Sequence, residues 1–170
     1  MEFAFVTPDL RRIDDLSGEA LACCVFEDEW PMLGLAGLVD WRLAGRLSAL
    51  AKDGFLTGKA GEVMLLPVRP WLPFEKLLVL GLGPHAAFDE GAARTATERL
   101  ARTLEGLQVK RPVVELPGRA DGSLAPKRAA ELAIAATAEV EPRDGWCLVE
   151  DADGEKAITR REEGARSRAR

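Results

Sequence analysis

Residues 39–83 read VDWRLAGRLSALAKDGFLTGKAGEVMLLPVRPWLPFEKLLVLGLG, and this stretch decides the fold because the period of its apolar residues changes within it. Ala36, Val39, Leu43, Leu47 and Leu50 recur at spacings of three and four, which places them on one face of a helix, with Asp40, Arg42, Arg46 and Lys52 off that face. Asp53-Gly54 closes the helix, glycine being suited to the left-handed position just past a helix end. Val63-Met64-Leu65-Leu66 and Leu77-Leu78-Val79-Leu80 are unbroken apolar runs bounded by Gly or Pro, too short for ordinary helices. Such runs suit strands covered on both faces. Between helix and strand, the turn Phe55-Leu56-Thr57-Gly58-Lys59-Ala60-Gly61-Glu62 has two glycines, which permit positive φ and close backbone approach.

The same alternation continues outward. Phe3-Ala4-Phe5-Val6 and Leu21-Ala22-Cys23-Cys24-Val25-Phe26 read as strands, with Asp14, Asp15, Ser17 and Gly18 supplying turn chemistry between them. A second helix has Ala93, Ala96, Leu100, Leu104 and Leu107 on one face, and Pro112-Val113-Val114-Glu115-Leu116 is a short strand. Ser123 is placed to cap a third, alanine-rich helix running to about Ala138, and Trp146-Cys147-Leu148-Val149 supplies one more strand. Repeated strand-then-helix order indicates an α/β fold, a mixed sheet covered by helices on both faces. Asp153-Gly154 reads as the turn of a terminal hairpin whose second strand is Lys156 to Thr159. Residues 1–159 form one domain on this reading, and 160–170 an Arg-rich, disordered tail.

The order of elements in residues 39–83 resembles the N-terminal domain of the leucyl aminopeptidases, the two-metal cytosolic family, and the resemblance extends from about Leu21 to Leu107, more weakly to Val149. It implies a three-layer, macro-like α/β domain with a mostly parallel sheet. In that family the domain precedes a separate catalytic domain. The catalytic motif Asn-Thr-Asp-Ala-Glu-Gly-Arg-Leu has no counterpart here, so the resemblance implies a chain that is not an enzyme and needs no cofactor or metal. Its implied role is that of an interaction, assembly or regulatory module. The partner would be a second copy, a full-length aminopeptidase or an unrelated protein.

Composition narrows the classes further. The 170 residues, 47% hydrophobic with net charge -5, can bury one sizeable core. No apolar run approaches the roughly 18 residues that a membrane helix needs, and the start of the chain lacks a basic, long apolar leader. A cytoplasmic protein without membrane contact is the expectation. The C-terminal arginines face an otherwise acidic chain, which argues against a nucleic-acid partner. Three cysteines, two of them adjacent, make no disulfide framework, and buried free thiols are expected.

Two candidate sites remain. In Pro67-Val68-Arg69-Pro70-Trp71-Leu72-Pro73-Phe74, three prolines stiffen a connection bearing Trp71, Leu72 and Phe74, and Trp30 sits in the similar segment Trp30-Pro31-Met32. Aromatic side chains on stiff loops anchor protein partners, so these four are the interaction candidates. Gly81-Leu82-Gly83 closes a strand ahead of a helix, a context in which backbone amides can meet a phosphate. Through the macro-like resemblance, Gly81 and Gly83 become candidates for binding ADP-ribose or a related nucleotide. An enzyme with an unrecognised site is the third reading; cysteine or Ser-His-Asp chemistry would have to be built around His85, the only histidine.

Overall fold

The computed structural model describes residues 3–138 and 145–168, with side chains described as far as Arg160. Its elements run β1 (Ala4–Val6), α1 (Leu10–Asp14), β2 (Gly18–Val25), α2 (Gly34–Arg42), α3 (Arg46–Lys52), β3 (Val63–Pro67), β4 (Phe74–Gly81), α4 (Glu90–Gly106), β5 (Val113–Val114), α5 (Pro126–Thr137), β6 (Cys147–Val149) and α6 (Ala152–Arg168). The strands form one six-stranded sheet in the order β1-β6-β5-β2-β4-β3. Every pairing is parallel except β3 with β4. This is the mixed, mostly parallel α/β sheet expected from the sequence.

Alternation along the central strands divides the core into two layers. Ala20, Ala22 and Cys24 of β2, with Leu78 and Leu80 of β4, pack with Ala93, Leu100 and Leu104 of α4 and Ala129, Ala130 and Ala133 of α5. Leu21, Cys23 and Val25, with Leu77 and Val79, meet Ile13, Leu35, Val39 and Leu47 from α1, α2 and α3. The small residues on the first face bring α4 and α5 close to the sheet. Cys23 and Cys24 are buried in opposite layers, where burial pushes both thiols well up and away from the reactive thiolate. Cys147 is only half-buried, short of full burial.

The structure corrects several expectations. The single helix of residues 36–52 is two, broken where Ala44 (φ 54) and Gly45 (φ 80) turn left-handed. Asp40 then accepts from the Leu47 and Ser48 N–H groups at 2.7 and 3.0 Å, capping α3 from the body of α2. The apolar face survives the break, because the turn returns Leu47 to the same layer as Val39. Second, β3 is not covered on both faces but is an edge strand with Leu65 exposed. Third, Ser123 does not cap α5, which starts with Pro126 at its first turn after Ala125; Ser123 N–H instead bonds Asp121. Fourth, residues 152–168 form α6, which replaces the hairpin at Asp153-Gly154 and crosses the boundary drawn at residue 160. Asp151 accepts from the Gly154 N–H at 2.7 Å, and Ile158 is buried against the α4–α5 layer. A short helix, α1, also stands where only turn residues were read.

The turn of residues 57–62 is the best-defined local structure. Glu62 folds back so that its carboxylate accepts from Thr57 and Gly58 N–H at 2.9 and 2.6 Å. Gly61 (φ 80) and Glu62 together oppose Gly81: Gly61 N–H donates to the Gly81 carbonyl at 3.0 Å, and Gly81 N–H to the Glu62 carbonyl at 2.9 Å. This is a β-bulge with glycine in the left-handed position. A Cβ on Gly81 would lie 2.2 Å from the Lys59 carbonyl oxygen, which only backbone movement could relieve. Gly81→Ala should therefore lower stability by at least about 2 kcal/mol in denaturant unfolding, whereas the same change at open Gly106 should cost little or stabilise.

Candidate functional site

In open α/β sheets the natural place for a site is beyond the carboxyl ends of the parallel strands. Here those ends release the segments 26–33, 82–89 and 115–125 and the start of α6. Asp28 on the first segment holds His85 on the second, accepting from its backbone N–H at 3.0 Å and lying 2.7 Å from its ring Nδ1. The ring stacks on Phe26 with centroids 3.8 Å apart, and Phe88 packs edge-on against Phe26. His85 Nε2 faces Glu29 at 3.3 Å and Asp121, from the third segment, at 3.6 Å. Partial burial works against the charge of the imidazolium. The hydrogen bond and charge of Asp28, with Glu29 and Asp121 behind them, outweigh it and hold His85 above its ordinary value. Asp28 is held low, chiefly by the His85 backbone N–H.

Deeper at the same end, Glu115 leaves β5 and turns under the start of α2. Its Oε1 accepts from the Leu35 N–H at 2.7 Å, and its Oε2 is buried with no hydrogen-bond partner. Burial drives its pKa up to about 7, against the pull of the Leu35 N–H, and the charges of Glu150 and Glu29 add to the rise. Gly34 (φ 55) is packed so tightly here that a Cβ would stand 2.5 Å from Glu115 Oε1. Beside it, Arg119 and Glu150 form a part-buried two-pronged pair at 2.6 and 3.0 Å, and Arg119 Nη1 also donates to the Leu124 carbonyl at 2.6 Å. The result is a set of loops tied to one another by internal charge. Among the described residues, no group of three or more His, Cys, Asp or Glu is arranged to hold a metal ion.

The interaction candidates separate. Trp71 and Trp30 are exposed, whereas Leu72 and Phe74 are fully buried in the layer under α2 and α3, so those two are core residues and not anchors. Across this connection Val68 and Leu72 enter the core, while Arg69, Pro70 and Trp71 between them stand out. Trp30 donates its ring N–H to the Glu27 carbonyl at 3.2 Å and borders a cleft of about 470 Å³ with Ala51, Lys52, Gly54 and Leu56. Trp41, which the sequence reading put on no list, borders a second cleft of about 480 Å³ with Leu10, Arg11 and Leu38. Gly81 and Gly83 lie against residues 58–60, and Gly83 N–H donates to the Gly58 carbonyl at 2.8 Å. Their glycine identity is explained by that packing.

Residues 25–140 match the N-terminal domain of the cytosol aminopeptidase family, more than half of the chain. The chain belongs to this family. A probable cytosol aminopeptidase of Thermosynechococcus vestitus is 35% identical over 107 residues, which cover 62% of this chain but 22% of that protein. This aminopeptidase N-terminal domain thus spans about a fifth of the relative's length. A tomato leucine aminopeptidase variant shares its fold at a TM-score of 0.63 and 16% identity, covering 95% of this chain and 35% of the other. The Trypanosoma brucei macrodomain solved in complex with ADP-ribose matches at a TM-score of 0.70 and 16% identity, covering 93% and 68%. The macro-like, three-layer architecture is therefore shown, as the resemblance implied. Among the described residues no helix is long and apolar enough to cross a membrane.

Glu115 makes the domain's stability depend on pH. Its folded pKa lies above the unfolded value, so its full contribution is present below the unfolded pKa and is lost as pH rises through about 7. Replacing it by the neutral isostere, Glu115→Gln, should remove a decline of about 2–4 kcal/mol between roughly pH 5 and pH 8, measured by denaturant unfolding at each pH.

Proposed function

We propose that this aminopeptidase N-terminal domain is a non-catalytic interaction, assembly or regulatory module of the cytoplasm, binding a protein through an exposed aromatic face. One observation carries the reading. Trp30, Trp41, Phe55 and Trp71 are 44%, 74%, 69% and 54% exposed, and the residues beside them, Met32, Val39, Leu56 and Leu72, all enter the same core layer. These are four large aromatic side chains left exposed beside one core layer. Exposed aromatics of that size are characteristic of binding surfaces, and indole rings are favoured anchors. A second copy, a full-length aminopeptidase or an unrelated protein would suit the face.

Absence of the family's catalytic motif from the sequence supports the non-catalytic part of the proposal. Purified protein should release no product from leucyl substrates with added divalent metal, and metal-dependent hydrolysis would overturn that part. Nucleotide binding draws on the likeness to macrodomains. Against it, Glu115 already occupies the α2 N-terminus that an anion would use, and Gly81 and Gly83 are packed by the turn. Calorimetry with ADP-ribose should accordingly give no saturable heat.

Trp30→Ala and Trp71→Ala together should weaken partner capture at least about tenfold while leaving the unfolding midpoint nearly unchanged, because both side chains are substantially exposed. Capture that is indifferent to both changes would remove this face from consideration.

A further inference from the structure

The free edge of β3 is a second surface, independent of the aromatic face. At the bulge, Gly81 N–H donates to the Glu62 carbonyl, which sets the phase of the β3–β4 ladder. With the register Met64↔Val79 and Leu66↔Leu77, alternation turns the polar groups of Met64 and Leu66 toward β4 and those of Val63, Leu65 and Pro67 away from the sheet. Pro67 fits this phase, since its missing N–H falls on the open side. Among the described residues, no strand lies beyond β3.

Edge strands usually carry a charge or a covering segment that prevents pairing. Val63-Met64-Leu65-Leu66-Pro67 carries no charge, and Leu65 is 46% exposed. We infer that β3 pairs antiparallel with β3 of a second copy, about a two-fold axis through Leu65, joining two six-stranded sheets into one.

Hydrogen-bonding groups favour this occupant. On the axis, Leu65 exchanges both backbone bonds with Leu65 of the second copy. On either side, a Val63 N–H meets a Pro67 carbonyl, so the residue without a donor is matched to one that has it. Only the Val63 carbonyl of each copy remains for solvent. The two exposed Leu65 side chains are brought together. Charge favours it as well: the chain carries a net charge of -5, so copies repel over most of their surfaces, and the neutral edge opposes no like charges. Self-pairing also consumes both free β3 edges, which closes the assembly as a dimer rather than a filament.

The full chain should sediment as a reversible dimer. Hydrogen exchange should show the Val63 and Leu65 amides becoming protected as concentration rises, while Met64 and Leu66 are protected throughout. Leu65→Lys, at a half-exposed position, should keep the fold by circular dichroism and raise the dimer dissociation constant at least about tenfold. Leu65→Cys should oxidise to a covalent dimer, because a hydrogen-bonded antiparallel pair holds Cα atoms about 5.5 Å apart, within disulfide reach. Trp71→Ala should leave the dimer intact. A monomer at every concentration overturns the inference, as does a dimer whose Val63 and Leu65 amides exchange freely or which Leu65→Lys leaves unchanged.

Discussion

Backbone touches backbone where the 57–62 turn crosses the end of β4, and much of the molecule depends on that contact. Gly58 lies so close to the Phe26 carbonyl that a Cβ would be 2.8 Å from it, and Gly81 lies tighter still against Lys59, at 2.2 Å. A single turn thereby joins the exit of β2, the entry of β3 and the exit of β4. Glu62 holds it from within by accepting two of its N–H groups. With those three chain segments clamped, the Phe26 loop and the His85 loop are placed to meet, and the bulge at Gly61 sets which backbone groups of β3 face outward.

Charge performs the second part of the assembly. At the carboxyl end of the sheet, the segments after β2, β4, β5 and β6 are joined by Asp28–His85, Glu115–Leu35 and Arg119–Glu150. Of these, the largely buried Arg119–Glu150 pair adds little net stability but penalises any arrangement that separates the partners. The same groups occupy positions where a ligand would otherwise find donors: Glu115 fills the start of α2, and Glu150 crowds Gly154 near the start of α6. That end of the sheet is crossed by contacts among its own side chains. The surfaces proposed for recognition are the exposed aromatic side chains and the open edge of β3.

Local periodicity made most of the architecture legible. The strands at residues 21–26, 63–66 and 77–80 and the face Ala93, Ala96, Leu100, Leu104 follow from apolar spacing, which responds to burial and to little else. The break at Ala44 and Gly45 was hidden because the apolar stripe continues through it, and a left-handed alanine has no sequence signal. Where α6 stands the sequence favours a hairpin, because Asp153-Gly154 has the chemistry of a turn; Asp151 capping the helix N-terminus and Ile158 entering the core override that preference.

For the candidate sites, the sequence determined residue type and the tertiary structure determined use. Trp71, Leu72 and Phe74 look alike as aromatic and apolar residues on a proline-stiffened loop, yet two are core and one is surface. The direction in which each side chain leaves the loop depends on the sheet beneath, which spacing does not encode. Glu115 stands in the sequence only as part of a short strand, and its partner Leu35 is 80 residues away in the chain. His85 and its carboxylates were likewise scattered over residues 28–121. What the sequence determined by itself is the layered scaffold and its family, because burial patterns repeat locally. What only the folded chain decided is which charges meet and which apolar surface stays open, because those depend on contacts between distant segments.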